Sequence, residues 1–137
     1  NIGETRPTSW YTERDALGRL TLAAVAWLGT PERVAEERYP GDVAMSRWLN
    51  GNLPSEFVWL DEVFADRTNS PSGNLANFRP MIDGMAERIG KSVVAYRTIT
   101  PAMTRVALRD FSMAATVNQA RRDVPDRRNF VTINLEK

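Results

Sequence analysis

The sequence predicts an all-α protein: a compact core of about five to seven helices with extended arms at both ends. The main observation is that apolar residues recur at spacings of three and four along two long stretches, which is typical of amphipathic helices. The two apolar stripes are Phe78, Met81, Ile82, Met85, Ile89, Val93 and Tyr96, then Met103, Val106, Ala107, Phe111, Ala114 and Val117. A second observation is the pair of helix-start signals, Thr30-Pro31 and Thr100-Pro101.

At 137 residues, 42% of them hydrophobic, the chain has the length and the apolar content of one packed domain. Residues 1–9 are polar and contain Pro7, so we expect an N-terminal arm. The helical core is expected over 10–124, and 125–137 is expected to form a C-terminal extended arm. A reducing compartment fits the absence of cysteine.

In the first half, a helix is predicted from Thr8 or Ser9 to Leu28, ended by Gly29. Thr30-Pro31 starts a short second helix, which the turn residues 39–42 interrupt. Asp42 caps a further short helix over 43–50, and Gly51 closes it.

The segment 52–66 contains the apolar run Phe57-Val58-Trp59-Leu60, which suits a buried strand and a helical turn equally well. We favour a short irregular or helical segment there. Residues 67–77 have the composition of a loop. Asn77 is then expected to cap the first long helix.

The last long helix is expected to run from Thr100-Pro101 to about Arg122, with Pro125 as the stop. Residues 130–135 have strand propensity but no neighbouring strand in this interpretation. They are therefore expected to be either disordered or laid on another surface.

Composition argues against several kinds of chemistry. The chain has no Cys and no His, so thiolate metal sites, disulfides and Ser-His-Asp catalysis are close to excluded. No glycine-rich phosphate loop or nucleophile elbow is present. No apolar run approaches the roughly 20 residues of a membrane span, and the first residues have no signal-peptide pattern. We expect no enzymatic activity, cofactor, metal, small-molecule substrate or membrane.

Charge is divided along the chain. Residues 1–78 carry 7 Arg against 11 acidic side chains, whereas 79–128 carry 10 Lys or Arg against 5 acidic ones. Arg outnumbers Lys by 16 to 2, and a guanidinium fork matches phosphate oxygens in a bidentate manner. The pattern favours an RNA-binding groove or contacts between copies of the chain. An unevenly charged solvated surface and a codon preference for Arg explain it equally simply.

Asp110 lies within the apolar stripe of the last long helix, and a carboxylate there is costly unless it is paired. Arg79, in the opening turn of the preceding helix, is the candidate partner. A buried pair would fix the register of the two helices, or would hold a polar pocket that receives a nucleotide.

Several short motifs, in their order along the chain, resemble the core of coat proteins from flexible filamentous plant RNA viruses, the potyvirus group above all. They are Asn50-Gly51-Asn52-Leu53-Pro54, Val58-Trp59-Leu60-Asp61, Phe78-Arg79, Asp110-Phe111 and Ala120-Arg121. The resemblance implies an all-helical core that polymerises around single-stranded genomic RNA. It also implies a nucleotide pocket lined by a Ser, an Arg and an Asp, here Ser55, Arg79 and Asp110, although Leu53 occupies the position that matches the family's Ser.

The leading hypothesis is therefore a structural coat protein, located in the virion and in the host cytoplasm during assembly. It would bind single-stranded RNA without sequence preference and form a homo-oligomeric filament through its terminal arms. The expected RNA-binding residues are Ser55, Arg79, Arg97, Arg105, Arg109, Asp110, Arg121 and Arg122. The alternative is a small helical protein-interaction or regulatory module without nucleic acid, which would use exposed aromatic residues such as Trp10, Trp48 or Trp59 as anchors.

Overall fold

The computed structural model describes residues 8–66 and 73–137. Their fold is a six-stranded mixed sheet with helices on both faces. The strand order is β1-β2-β3-β4-β6-β5, and the pair β3–β4 is parallel whereas the other neighbours are antiparallel. The strands are β1 Thr8–Arg14, β2 Leu20–Gly29, β3 Phe57–Ala65, β4 Val93–Thr98, β5 Ala115–Asn118 and β6 Asn129–Asn134.

Four α-helices connect or cover these strands in the described part of the chain. They are α1 Pro31–Arg38, α2 Val43–Asn52, α3 Phe78–Ile89 and α4 Pro101–Phe111. Short 3-10 helices over Gly73–Asn77 and Ser112–Ala114 precede α3 and follow α4. None of the described helices is long and apolar enough to cross a membrane.

The prediction of an all-α fold is wrong, and the first predicted helix shows why. Its alanine-rich sequence is a hairpin of β1 and β2, turned by Asp15, whose Oδ1 accepts hydrogen bonds from the backbone N–H groups of Leu17 and Arg19. Gly18 supplies the left-handed conformation that this turn requires, with φ of 79°. Along β2, Leu22, Ala24 and Ala26 share one buried face and Trp27 lies on the other, the period of a strand.

Helices begin at four of the predicted start signals, but the side chains of Asn77 and Thr100 form no cap hydrogen bond. The Thr30 hydroxyl accepts a hydrogen bond from the Arg33 N–H, and the Asp42 carboxylate accepts one from the Met45 N–H. The later helices end sooner than predicted: α3 stops at Gly90, with φ of 82°, and α4 stops at Phe111. Residues 93–96, predicted as the end of the first long helix, belong instead to β4, which runs to Thr98.

The core lies on both faces of the sheet. On one face, α3 and α4 bury Phe78, Met81 and Ile82 against β2, β3 and β4. On the other, α1 and α2 contribute Val34, Met45 and Leu49, which pack with aromatic side chains of the sheet: Trp27, Phe57, Trp59 and Phe130. Both faces are therefore buried along most of β4 and in the first half of β3, which explains the continuous apolar run Phe57-Val58-Trp59-Leu60.

The segment expected to be a C-terminal extended arm, 125–137, contributes β6, which lies inside the sheet between β4 and β5. The sequence suggested no strand that could pair with this segment, whereas in the structure β4 and β5 pair with it on either side. At the other end, Thr8 and Ser9 of the expected N-terminal arm belong to β1. Residues 1–7 of that arm and residues 67–72 of the predicted loop lie outside the described residues.

Candidate active site

The parallel strands β3 and β4 separate shortly after they meet. They pair only at Val58 with Val94 and at Trp59 with Ala95. Beyond these positions β3 continues beside β2, and β4 continues beside β6. A gap therefore opens between the carboxyl halves of two central strands, and their facing edges have no ladder partner within the described residues. The carboxyl edge of parallel strands, where α3 and α4 also begin, is a common place for a ligand.

A bulge in β3 lies at this opening. Val25 is paired with Glu62 and Ala26 with Leu60, so Asp61 is the extra residue. Its carboxylate accepts hydrogen bonds from Arg38 Nε at 2.7 Å and from Nη2 at 2.5 Å, and from the Trp59 indole N–H at 3.1 Å. The bulge thus fixes the end of α1 to the strand beside the gap.

These donors determine the charge of Asp61. Burial by itself raises the pKa of the carboxyl, but the hydrogen bonds from Arg38 and from the Trp59 indole outweigh it, so the pKa lies below its ordinary value. Asp61 is therefore ionised at neutral pH and already bonded. It positions Arg38 rather than accepting a proton.

Next to the gap lies a polar cleft of about 470 Å³. It is formed by the end of α1, the α1–α2 turn, the end of β4 and the β5–β6 loop, and five of its ten lining residues are arginines. Arg38 links the cleft to the gap, because its guanidinium holds Asp61 while its backbone carbonyl accepts a hydrogen bond from Arg97 at 3.3 Å. The lining residues are Arg38, Tyr39, Pro40, Asp42, Arg97, Arg121, Pro125, Asp126, Arg127 and Arg128.

The floor of the cleft is a network around Tyr39. The phenol donates a hydrogen bond of 2.5 Å to Asp126, and the Arg97 guanidinium lies 4.8 Å from the centre of the ring. Burial, together with the hydrogen bond to Asp126, raises the pKa of Tyr39 well above its ordinary value. Tyr39 is thus a permanent hydrogen-bond donor at neutral pH.

The β5–β6 loop is held in shape by its own hydrogen bonds. The Arg121 N–H donates to the carbonyls of Val124 and Asp126, and the Arg128 N–H donates to the Asp126 carboxylate. The Trp48 indole fastens the loop to α2 through the Asp123 carbonyl at 3.1 Å. Arg121 itself has a left-handed backbone, with φ of 62°, which is uncommon outside glycine and is often found at functional sites.

Of the residues predicted from the sequence as a site, the structure places only two in this cleft. Arg97 and Arg121 line the cleft. Arg122 is exposed and pairs with Asp123, and Arg105 is exposed on α4. Ser55 is exposed in the turn before β3, at the opposite edge of the sheet.

The predicted ion pair between Arg79 and Asp110 is not formed. Arg79, 60% exposed, donates from Nη1 to the backbone carbonyl of Asp110 at 2.7 Å, and it lies over the Phe111 ring. The Asp110 carboxylate is paired with Arg109 at 2.7 Å. The Arg109 guanidinium folds back to its neighbour on α4, whereas Arg79 reaches the main chain of Asp110 and lies 3.7 Å from the carboxylate of Asp83 on its own helix.

Four residues of the site were not predicted from the sequence, because only the bulge and the folded loop bring them together. They are Arg38, Tyr39, Asp61 and Asp126. Arg127 and Arg128 were visible as basic residues but not as members of a cleft. No group of three or more acidic side chains among the described residues could hold a metal ion.

Comparison with known proteins gives no match to a family model and none to a curated protein. Solved structures do match. An acetyltransferase from Bacillus cereus ATCC 14579 has a TM-score of 0.51 and 8% identity, over 93% of this chain and 71% of that one. Naa20 from Chaetomium thermophilum, in complex with a bisubstrate analogue, has a TM-score of 0.54 and 11% identity, over 93% and 66%. A bacterial toxin has a TM-score of 0.52 and 15% identity, over 94% and 68%.

These neighbours overturn the identification as a viral coat protein. Their folds are of the GNAT acetyltransferase type, built on a central sheet, whereas the coat-protein hypothesis required an all-helical core. The same finding contradicts the predicted capsid function, the single-stranded RNA partner and the filament of identical subunits. It also contradicts the alternative, a small helical interaction module. The expectations of no enzymatic activity and no small-molecule substrate are corrected too, because proteins of this fold include acetyltransferases. At 8 to 15% identity the likeness concerns the fold: this chain has the fold of GNAT-type acetyltransferases.

Proposed function

We propose that this protein is an acyltransferase that moves an acetyl group from acetyl-CoA to an amine. The observation that carries the proposal is the separation of β3 and β4 beyond Trp59 and Ala95, beside a polar cleft. The fold of acetyltransferases supports it.

The gap fits the donor. The arm of CoA that carries the thioester is long, narrow and rich in amide groups, so it can hydrogen-bond to an open strand edge as an added strand does. The free edge of β3 beyond Trp59 offers such groups. The arm would enter between the strands with its thioester near the bulge at Asp61.

The phosphates of the donor would lie at the start of the helical segment that follows β3. The positive end of a helix dipole favours anions, and the 3-10 helix Gly73–Asn77 continues directly into α3. Arg79, exposed on the first turn of α3, would supply a guanidinium for a phosphate.

The amine would approach from the cleft. Its nitrogen attacks the thioester carbonyl, the C–N bond forms, the C–S bond breaks and the thiol of CoA leaves, while the proton of the amine passes to solvent through the open cleft. Arg38, held by Asp61 beside the gap, is placed to orient the acceptor between the two halves of the site. Orientation of two bound reactants is a major source of rate acceleration.

Calorimetric titration of the protein with acetyl-CoA tests the donor site, followed by a thiol-release assay with a panel of amines. We expect binding and amine-dependent release of CoA. An Arg79→Gln variant should bind acetyl-CoA about tenfold more weakly, the value of one charged hydrogen bond. Arg47→Gln is the matched control, because Arg47 is exposed on α2 and lies outside the cleft lining and α3. A protein that does not bind acetyl-CoA would overturn the proposal.

A further inference from the structure

We infer that the cleft selects an acceptor amine that carries an anionic group, a phosphate ester or a carboxylate. The inference rests on the proposed function, because it names the class of acceptor at the same site. Some arginines of the cleft are paired with a carboxylate and others are not, and the inference follows from this difference.

Two of the five arginines have carboxylate partners. Arg38 is engaged by Asp61, and Arg128 lies 3.8 Å from Asp126. The other three, Arg97, Arg121 and Arg127, form no ion pair with an acidic side chain in the described ranges 8–66 and 73–137. Their positive charge is therefore available to a ligand.

The acidic residues of the cleft do not cancel this charge. Asp126 is buried and accepts hydrogen bonds from the Tyr39 phenol and the Arg128 N–H. Asp42 is used as the cap of α2, where it accepts from the Met45 N–H. The lining thus presents an excess of guanidinium groups, which repels a polycationic acceptor and attracts an anionic one.

The Arg97 side chain and the backbone of the β5–β6 loop are also held in place. Arg97 is fixed by the Tyr39 ring and by the carbonyl of Arg38. Arg121 and Arg127 belong to the loop whose backbone hydrogen bonds and Trp48 anchor were described above. A guanidinium that is already oriented, as that of Arg97 is, binds an oxyanion at a lower cost in conformational entropy than a flexible surface side chain does.

Arg97 determines where the anionic group of the acceptor would lie relative to the thioester in the gap. It connects to Arg38, and Arg38 connects to the bulge at Asp61, so the cationic part of the cleft begins next to the gap. An acceptor held there by its anionic group would direct its amine toward the gap. The anionic group therefore sits a short distance from the amine, as in a compact bifunctional molecule.

Titration followed by amide chemical shifts tests the inference, at constant ionic strength and with the donor site saturated by CoA. The probes are O-phosphoethanolamine, β-alanine and ethanolamine, which share an amine and differ in the anionic group. We expect the two anionic probes to shift amides of 119–128 and of Arg97, and ethanolamine to shift none of them. Tighter binding of O-phosphoethanolamine would assign the group as a phosphate ester, and tighter binding of β-alanine as a carboxylate.

An Arg121→Gln, Arg127→Gln double variant should weaken the binding of the tighter anionic probe at least about tenfold. An Arg47→Gln, Arg105→Gln variant changes the net charge equally on residues that do not line the cleft, and should leave the binding unchanged. Equal shifts with all three probes, or equal weakening in both variants, would overturn the anionic acceptor while leaving acetyl-CoA binding intact. Failure to bind CoA itself would instead remove the proposed function and, with it, the assignment of the cleft as an acceptor site.

Discussion

Asp61 is the residue at which the sheet, α1 and the candidate site meet. As the extra residue of the β3 bulge, it points its carboxylate to Arg38 and to the Trp59 indole. Its side chain is 13% exposed and that of Arg38 is 32% exposed, so the pair is shielded from water more than a surface ion pair. We therefore expect it to contribute to stability as well as to position Arg38.

An Asp61→Asn variant should lower the free energy of unfolding at pH 7 by about 1.5 to 3 kcal/mol, the range for hydrogen bonds to a charged group. Because the pKa of Asp61 is lowered in the folded protein, its contribution is present above the ordinary value of 3.8 and is lost as the pH falls through the folded pKa. Urea unfolding at pH 7 and at pH 3 checks this. An equal difference between the two proteins at both pH values would show that the charge of Asp61 plays no part.

The three tyrosines offer a test at high pH. Burial is the first cause of the raised pKa of Tyr11, Tyr39 and Tyr96, with hydrogen bonds to carboxylates adding to it for the first two. A raised pKa means that stability is full below about pH 10 and is lost as the pH rises through the folded pKa.

A spectrophotometric titration of phenolate should therefore show little ionisation at pH 10, where a free tyrosine is half ionised. The signal of Tyr39 and Tyr96 should appear together with alkaline unfolding, followed by circular dichroism. Reversible ionisation of all three near pH 10 in a folded protein would contradict the burial of their hydroxyl groups.

At the scale of elements, the end of β2 is packed tightly against the start of β3. Gly29 is buried, and a Cβ added to it would lie 2.8 Å from a ring carbon of Phe57, which is itself fully buried. The glycine that the sequence suggests as a helix end is therefore a place of close approach between two strands.

A Gly29→Ala variant should be destabilised by about 1 to 3 kcal/mol, the usual cost of overpacking a core. Gly84→Ala is the matched control: a Cβ added at this position of α3 meets nothing within 4 Å. It should raise stability by about 0.5 to 1 kcal/mol, because alanine favours a helix over glycine. Thermal or urea unfolding compares the two. If Gly29→Ala were as stable as Gly84→Ala, the packing of β2 on Phe57 would be contradicted.

Helix starts were predictable from the sequence because their signals are local. Thr30-Pro31 and Asp42 act through residues only three positions away. Strands depend on partners that are distant in sequence: β3 lies between β2 and β4, and β6 lies between β4 and β5. For β4, the apolar residues at spacings of three and four continue past Gly90, so the sequence suggested a longer helix. Over a few positions, Val93-Val94-Ala95-Tyr96 fits the period of a helix and that of a strand equally well.

The site was less predictable for the same reason. The two predicted residues that do lie in the cleft, Arg97 and Arg121, were selected from an excess of arginine rather than from geometry. Asp61 becomes notable only through the bulge, and Asp126 only through a phenol that is 87 positions earlier in the chain. Adjacent carboxylates such as Asp61-Glu62 carry no such signal on their own.

For the whole molecule, β6 decides whether the C-terminal segment is an arm or part of the core. Phe130 packs on the α1–α2 face of the sheet, and Val131 and Ile133 pack on the α3–α4 face. All three are fully buried. Removal of β6 would open both cores and leave β4 and β5 without the strand between them.

A protein that ends at Arg128 should therefore fail to fold, and its amide spectrum should lack the dispersion of the full chain. Removal of Glu136 and Lys137 alone, which are exposed and follow β6, should leave the spectrum and the melting temperature nearly unchanged. A folded, cooperative protein without residues 129–137 would show that this segment is a peripheral arm after all.

Amide chemical shifts measured during a titration with acetyl-CoA show whether the opening between β3 and β4 holds this donor. We expect saturable shifts concentrated at 60–63 on β3, at 96–98 on β4 and at the start of α3. Shifts of the exposed hairpin turn 15–19 should be absent. Binding without any change along β3 and β4, or no binding at all, would show that this opening does not hold acetyl-CoA.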